Sequence, residues 1–354
     1  MKVIKKEEIP WREVIFNINS GHVLMWFFRS AEVLVFVVIL KNFSLNLLSN
    51  WSFIGQWLFT FFAWDCCFYW LHRMHHKIPL FWKVHNIHHQ GEHFSLSLGL
   101  RNSWYSSLSS IPFFVILAVI GVPLPVFLSL SSVHYFFQFY NHNGVVKSSG
   151  ILDKIMITPA HHRVHHGTNP EYRDRNFGGT LIIWDKLFGT FQKKIDGIDI
   201  NYGLINPIRT DNPFWGNNLP FFKALKINVP DFKNDNNKIY IPDLIVGSGG
   251  FILLGLWLYY IDHEYDNLGI QQFYYFMLVF LSTIALGGMS DKKAWGIISW
   301  SLLTSILPLS FILYFNISDN IILSLFALFF IHGVYSLKYL FSNTKEKIKL
   351  EEAL

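Results

Sequence analysis

Apolar residues fall in long unbroken stretches rather than in the short amphipathic runs of a soluble domain. Stretches of about 18 or more apolar residues are long enough to cross a bilayer as helices. Eight occur: His22–Leu40, Trp51–Leu71, Trp104–Gly121, Pro123–Tyr140, Leu244–Tyr260, Gln271–Leu286, Ala294–Tyr314 and Ile321–Leu340. The turn Gly121-Val122-Pro123 is all that separates the third from the fourth. That pair either crosses fully or forms a hairpin that does not. The expected fold is an all-α integral membrane protein of about eight transmembrane or hairpin helices.

Polar positions assign a side to each loop. With Lys2, Lys5, Lys6 and Arg12 placed in the cytoplasm, the loops 72–103 and 141–243 are cytoplasmic too. So are Asp291-Lys292-Lys293 and the tail carrying Lys345, Lys347 and Lys349. Lys41 is then the one Lys or Arg in the outer loops, as the positive-inside rule requires. Four regions follow: a cytoplasmic N-terminus (1–21), a membrane and cytoplasmic catalytic region (22–243), a C-terminal four-helix membrane region (244–341) and a cytoplasmic tail (342–354). No cleavable leader is expected, because Met1–Arg12 is polar and no short apolar region with a small-residue cleavage site follows.

Composition agrees with a membrane protein. Hydrophobic residues make up 51% of the 354 and charged residues 15%, against about 25% charged in a soluble domain. Aromatics reach 18%. The net charge of +5 sits in the loops and is not interleaved with base-stacking aromatics, so nucleic acid is not an expected partner. Cys66 and Cys67 are adjacent inside an apolar run, which excludes a disulfide framework.

The chemistry lies in the histidines. Thirteen of the 16 fall between His72 and His166. His72 and His76 are spaced i, i+4. His85, His88 and His89 are spaced i, i+3, i+4, and His162, His165 and His166 repeat that pattern. Residues three and four apart share a helix face, so each set is expected to aim two or three imidazoles at one point. With His142, at the cytoplasmic end of the fourth span, they supply nine imidazoles, too many for one ion and suited to two. Imidazole binds iron, zinc, copper and nickel. A site of neutral nitrogens without thiolate suits non-haem iron that changes oxidation state. His75, His93, His134 and His161 lie off these faces; of them His161 is the strongest further candidate. His22, His263 and His332 are read as unligated.

A His-x3-His box followed by two His-x2-His-His boxes beside membrane spans resembles the fatty acid hydroxylase (sterol desaturase) superfamily of membrane di-iron oxygenases. The likeness runs through Tyr69–Met74, His85–Glu92, Phe137–His142, Thr158–Gly167 and Asn176–Phe191, within about Phe27–Gln192. It is greatest to the alkylglycerol monooxygenase branch. The resemblance implies that His72, His76, His85, His88, His89, His142, His162, His165 and His166 bind two irons. It also implies that O2 is the oxidant and that a lipid C–H bond is hydroxylated. Gln138 stands where some members carry a further histidine, as in the alkylglycerol monooxygenase pattern. Glu92 matches an acidic residue beyond the second box, placed to orient a ligand or contact pterin. Asp65, two turns before His72, is expected to accept from an imidazole N–H.

For that branch the implied substrate is an ether lipid and the implied reductant tetrahydrobiopterin. The alternative is a fatty acyl, sterol-like or aminolipid hydroxylase or desaturase fed by a ferredoxin or cytochrome. No fused cytochrome or flavin motif is present, so the electron donor is expected to be separate. A reading outside enzymes is a metal transporter or sensor with a His-rich loop. Transporters place ionisable groups near the midplane of their spans, whereas these spans carry chiefly Glu32 and Asp65. Abundant Asn, Ile and Lys suggest an AT-rich bacterial genome, and so a bacterial inner membrane ahead of the endoplasmic reticulum.

Overall fold

The structure is a computed structural model that describes residues 10–230, 239–263 and 269–351; side chains are described except in 22–27 and 342–351. Lys2, Lys5 and Lys6, and the side chains of His22, Lys345, Lys347 and Lys349, therefore lie outside the described residues. Among the described residues the regular structure is helical, and the sole β-pairing is an isolated bridge between Met156 and Leu181.

Two compact units divide the chain, one of Leu24–Pro207 and one of Ile9–Val23 with Ile208–Leu354. In chain order the α-helices are α1 (Trp11–Ser20), α2 (His22–Phe43), α3 (Phe53–Lys77), α4 (Pro79–His89), α5 (Ser106–Ile120), α6 (Leu124–Asn141), α7 (Pro159–His165), α8 (Ile183–Leu187), α9 (Pro213–Ala224), α10 (Asp243–Asp262), α11 (Ile270–Ser290), α12 (Ala294–Phe315) and α13 (Asn320–Glu351). Each of the eight apolar stretches is a helix.

In the first unit α3 is the central element and packs on α4, α5 and α6. Trp64 of α3 is almost fully buried and packs with Phe68 and Phe114, and Phe36 stacks on Phe127 at 4.2 Å. α3 runs six residues beyond its apolar stretch, carrying His72, His75 and His76 past Leu71. It stops at Ile78, whose extended backbone (φ −99°, ψ 120°) is what a residue before proline prefers. Pro79 then opens α4, where its fixed φ fits and its missing N–H costs nothing. This break folds the second histidine box back against the first. α5 ends at Gly121 with φ 102°, a left-handed value that a side chain resists. Any Cβ there would also press on Asn46 Cα at 2.9 Å. α5 has 15 residues, short of the about 20 needed to span a bilayer.

In the second unit α10, α11, α12 and α13 (to Phe341) are each long and apolar enough to cross a membrane. They bury one apolar core that includes Leu253, Leu256, Trp257, Trp300 and Phe329. α1 and the described residues from Ile208 to Asp243 group with these helices in the second compact unit. Arg12 makes the physical link: its guanidinium donates to Asp243 (2.6 Å), Ile241 O (2.6 Å) and Ser290 O (2.5 Å), closing the C-terminal end of α11. Gly287 leaves space for Asn212, whose amide donates to Ile284 O at 3.1 Å.

Candidate metal centre

The two His-x2-His-His boxes end α4 and α7, and the His-x3-His box ends α3. On a helix the i and i+4 positions differ by about 40°, while i+3 lies about 60° to the other side of i. One box therefore points in two directions. His85 and His89 join His72, His76 and His165 in one group, while His88 joins His142, His162 and His166 in another. Within each group the ring nitrogens lie within 4.8 Å of one another. The i, i+4 pair of α4 serves the first group and that of α7 serves the second. The i+3 histidine of each box crosses to the other group, so α4 and α7 stitch the two groups together. The expectation of up to three imidazoles at one point resolves as two plus one.

Four rings have their orientation set by backbone carbonyls. Nδ1–H donates from His72 to Phe177 O (2.9 Å), from His165 to Arg175 O (2.9 Å), from His88 to Arg101 O (2.8 Å) and from His142 to Gln138 O (2.7 Å). A neutral imidazole that donates from Nδ1 carries a lone pair on Nε2. The Nε2 atoms of His88 and His142 nevertheless face each other at 3.1 Å. Two lone pairs at that distance repel unless a cation lies between them. The buried His76 Nε2 and His162 Nδ1 have no hydrogen-bond partner. Both observations fit residues built to hold metal. Burial, reinforced by the neighbouring imidazoles, keeps His85, His89, His142, His162, His165 and His166 well below the ordinary histidine range. Burial pushes His88 down to about 4. At neutral pH the lone pairs are free.

Several groups that support the site carry no signal of that role in the sequence. Asp174 Oδ1 lies 3.4 Å from His76 Nδ1, and Lys77 donates to its other oxygen at 2.6 Å. Those two partners, His76 first, hold the Asp174 carboxyl well below its ordinary range. Arg101 Nε donates to Ile87 O at 2.7 Å, tying down the end of α4 that carries His88. Gly99 admits the His142 ring, since a Cβ there would lie 3.1 Å from His142 Nδ1. Phe94 stacks on His142 at 5.7 Å and Phe177 meets His72, His76 and His165 edge-on or tilted, which shields both groups from water. These contacts come from loops whose meeting with the boxes leaves no periodic trace in sequence; the stretch Asn176–Phe191, which carries Phe177 and part of the family likeness, is the one available signal.

The other candidates lie elsewhere. His161 caps α7: its Nδ1 accepts from the Thr158 amide at 3.3 Å, and it belongs to neither group. His75 meets Ser109 Oγ at 3.0 Å, and His93 and Glu92 are exposed. Asp65 is fully buried and accepts from Thr180 N (2.8 Å), Leu181 N (3.0 Å) and Trp184 Nε1 (2.9 Å). The imidazole it faces is His134, at 3.4 Å, which stands outside both groups. Gln138 lends its carbonyl to His142, and its own amide nitrogen is buried without a partner. His332 and His263 stand apart, and Cys66 and Cys67 are free thiols outside both groups.

Comparison with known proteins adds similarity to this geometry. Residues 57–190 match the fatty acid hydroxylase family. That segment contains all nine grouped histidines and none of α10–α13. Named relatives are the alkylglycerol monooxygenase of Danio rerio, 40% identical over 60% of this chain and 47% of its own length, and that of Homo sapiens, 38% identical over 53% and 41%. An ornithine lipid hydroxylase of Rhizobium tropici is 34% identical over 35% of this chain and 38% of its own length. The chain thus spans less than half the length of each of these three relatives. No solved structure matches it.

Proposed function

We propose that this protein is a multi-pass membrane oxygenase in which the first group (His72, His76, His85, His89, His165) and the second (His88, His142, His162, His166) each hold one iron. The observation that carries this reading is the convergence of nine neutral imidazoles, and no thiol, into two adjoining groups. Two non-haem irons bound there would supply the redox capacity and Lewis acidity for O2 to oxidise an unactivated C–H bond. One oxygen atom enters the C–H bond; the other leaves as water, using two electrons and two protons from a separate donor. The chain's own part is to hold each ring by its Nδ1–H and to keep water out with Phe94 and Phe177.

The favoured substrate is an alkylglycerol, supported by the named relatives. Hydroxylation next to the ether oxygen yields a hemiacetal that collapses to glycerol and an aldehyde. The favoured donor is a tetrahydropterin. A second reading, a polar aminolipid substrate with a redox-protein donor, is supported by the likeness to an ornithine lipid hydroxylase. Eight crossings or hairpin helices, with the site at the cytoplasmic face of a bacterial inner membrane, complete the proposal; the helices rest on the apolar stretches, the sidedness on the loop charges and the bacterial membrane on the Asn-, Ile- and Lys-rich composition.

The test is metal content and O2 consumption of the detergent-purified protein, wild type beside His88→Ala, with an alkylglycerol and a tetrahydropterin. Two irons per chain and pterin-dependent uptake, both lost in the variant, are expected. Iron without uptake redirects the search to other lipids and donors. Folded protein that takes up no metal overturns the reading.

A further inference from the structure

Three buried polar atoms on one face of α6 have no hydrogen-bond partner: His134 Nε2, Gln138 Nε2 and Asn141 Oδ1. They are spaced i, i+4, i+7, within about 60° around the helix, and the face ends at His142 in the second metal group. Leaving such groups unpaired forfeits their hydration with nothing in return, and buried polar groups are otherwise almost always satisfied. His134 and Asn141 are both fully buried.

The partners these side chains do have fix the character of the unpaired atoms. His134 Nδ1 meets Thr180 Oγ1 at 2.7 Å and lies 3.4 Å from Asp65, so its proton sits on that side and Nε2 presents a lone pair. Asn141 donates Nδ2–H to Gly179 O at 3.1 Å, which leaves its oxygen as an acceptor. A Cβ on Gly179 would lie 2.9 Å from Gln138 Nε2 and 2.7 Å from Phe68 Cδ1, so only a glycine there lets that amide and that ring approach the backbone so closely. Phe68 in turn lies 5.5 Å from the His72 ring. The face thus offers one N–H donor with an acceptor on either side, along an aromatic wall that leads to the metal groups.

We infer that this face is a subsite for the oxygens of the lipid substrate. Gln138 Nε2–H donates to an ether or hydroxyl oxygen on the chain, and Asn141 Oδ1 and His134 Nε2 accept from hydroxyls. A plain hydrocarbon chain satisfies none of them, so the subsite selects oxygen-bearing lipids. Gln138 lies one helical turn, about 6 Å along the axis, from His142. A carbon bonded to the oxygen it holds would lie on the side of α6 that ends at the second metal group. The inference rests on the oxygenase reading for its substrate class, but it is read by binding and not by turnover.

The experiment uses the full iron-loaded chain in detergent without O2. It compares the affinities of three lipids of one chain length: 1-O-hexadecylglycerol, hexadecan-1-ol and hexadecane. Gln138→Leu and Gln138→Met are measured beside wild type, with iron content as the check that the metal groups are intact. The wild type is expected to bind the glyceryl ether well above the alkane. The variants are expected to keep both irons, to bind the glyceryl ether about tenfold more weakly and to bind the alkane unchanged, as loss of one buried hydrogen bond predicts. Unaltered affinity for the glyceryl ether in either iron-replete variant overturns the inference. So does loss of iron in both variants to the extent seen in His142→Ala, which would make Gln138 a support of the metal. If the wild type shows Gln138-dependent binding yet consumes no O2 with any lipid and donor, the oxygenase reading fails and the subsite stands.

Discussion

His88 in the first unit and His332 in the second are buried alike, 7% and 8% exposed, yet their nitrogens are used in opposite ways. Both nitrogens of His332 are satisfied within the helix bundle. Nδ1 accepts from Trp300 Nε1 at 2.9 Å, and Nε2 donates to Ile245 O at 3.0 Å with Ser248 Oγ at 3.1 Å. His88 spends Nδ1 on a carbonyl and turns Nε2 toward another Nε2. One histidine closes a hydrogen-bond network, whereas the other holds a lone pair in reserve. Burial does not separate a structural histidine from a ligand. The fate of the second nitrogen does.

The sharpest way to break this contrast is to replace both by leucine. His88→Leu is expected to lose the metal of the second group and at least a hundredfold in oxygen consumption, while the one orphaned Arg101 carbonyl costs the metal-free protein less stability than the two groups orphaned at His332. His332→Leu is expected to keep both metals while its orphaned Trp300 N–H and Ile245 carbonyl lower stability by about 2–4 kcal/mol. Metal analysis beside thermal unfolding separates the two, and equal metal loss in both variants would erase the distinction.

Acid gives the next largest effect. His88 is neutral in the fold down to about pH 4, whereas an unfolded histidine takes its proton near the ordinary value of about 6.5. Its contribution is therefore fully present above pH 6.5 and is lost as pH falls from there toward 4. For His88 that is on the order of 3 kcal/mol. Unfolding midpoints of the metal-free protein across this window are expected to fall with pH, and a flat profile would contradict neutral burial.

Smaller effects come from groups that support a ligand and from a histidine that binds none. Asp174→Asn weakens the hold on His76 and is expected to lower metal affinity of the first group about tenfold, measured by chelator competition. His161→Ala removes a cap from α7 and is expected to cost about 1 kcal/mol with metal content unchanged. Loss of metal in that variant would return His161 to the ligand set.

Much of the site is legible in the sequence because helix periodicity is local. Spacings of three and four residues are enough to put His85, His88 and His89 on one end of α4, and His162, His165 and His166 at the end of α7. The eight apolar stretches are legible for the same reason, since each is a helix in its own right. Asp65 is legible as a buried acceptor but not in its target: only the packing of residues 180–184 against α3 shows that its carboxylate serves two amides, Trp184 and His134.

The sequence alone specified which side chains carry the chemistry and on which helices they ride, because a helix face depends on residues a turn apart. The tertiary structure decided how they divide: His85 with His89 to one group and His88 to the other, residues 208–230 to the second unit, His161 to a cap. Those outcomes depend on where Ile78–Pro79 turns the chain and on which loop carbonyl meets which Nδ1. Such meetings join residues up to about a hundred positions apart, as His72 with Phe177, and no local pattern encodes them.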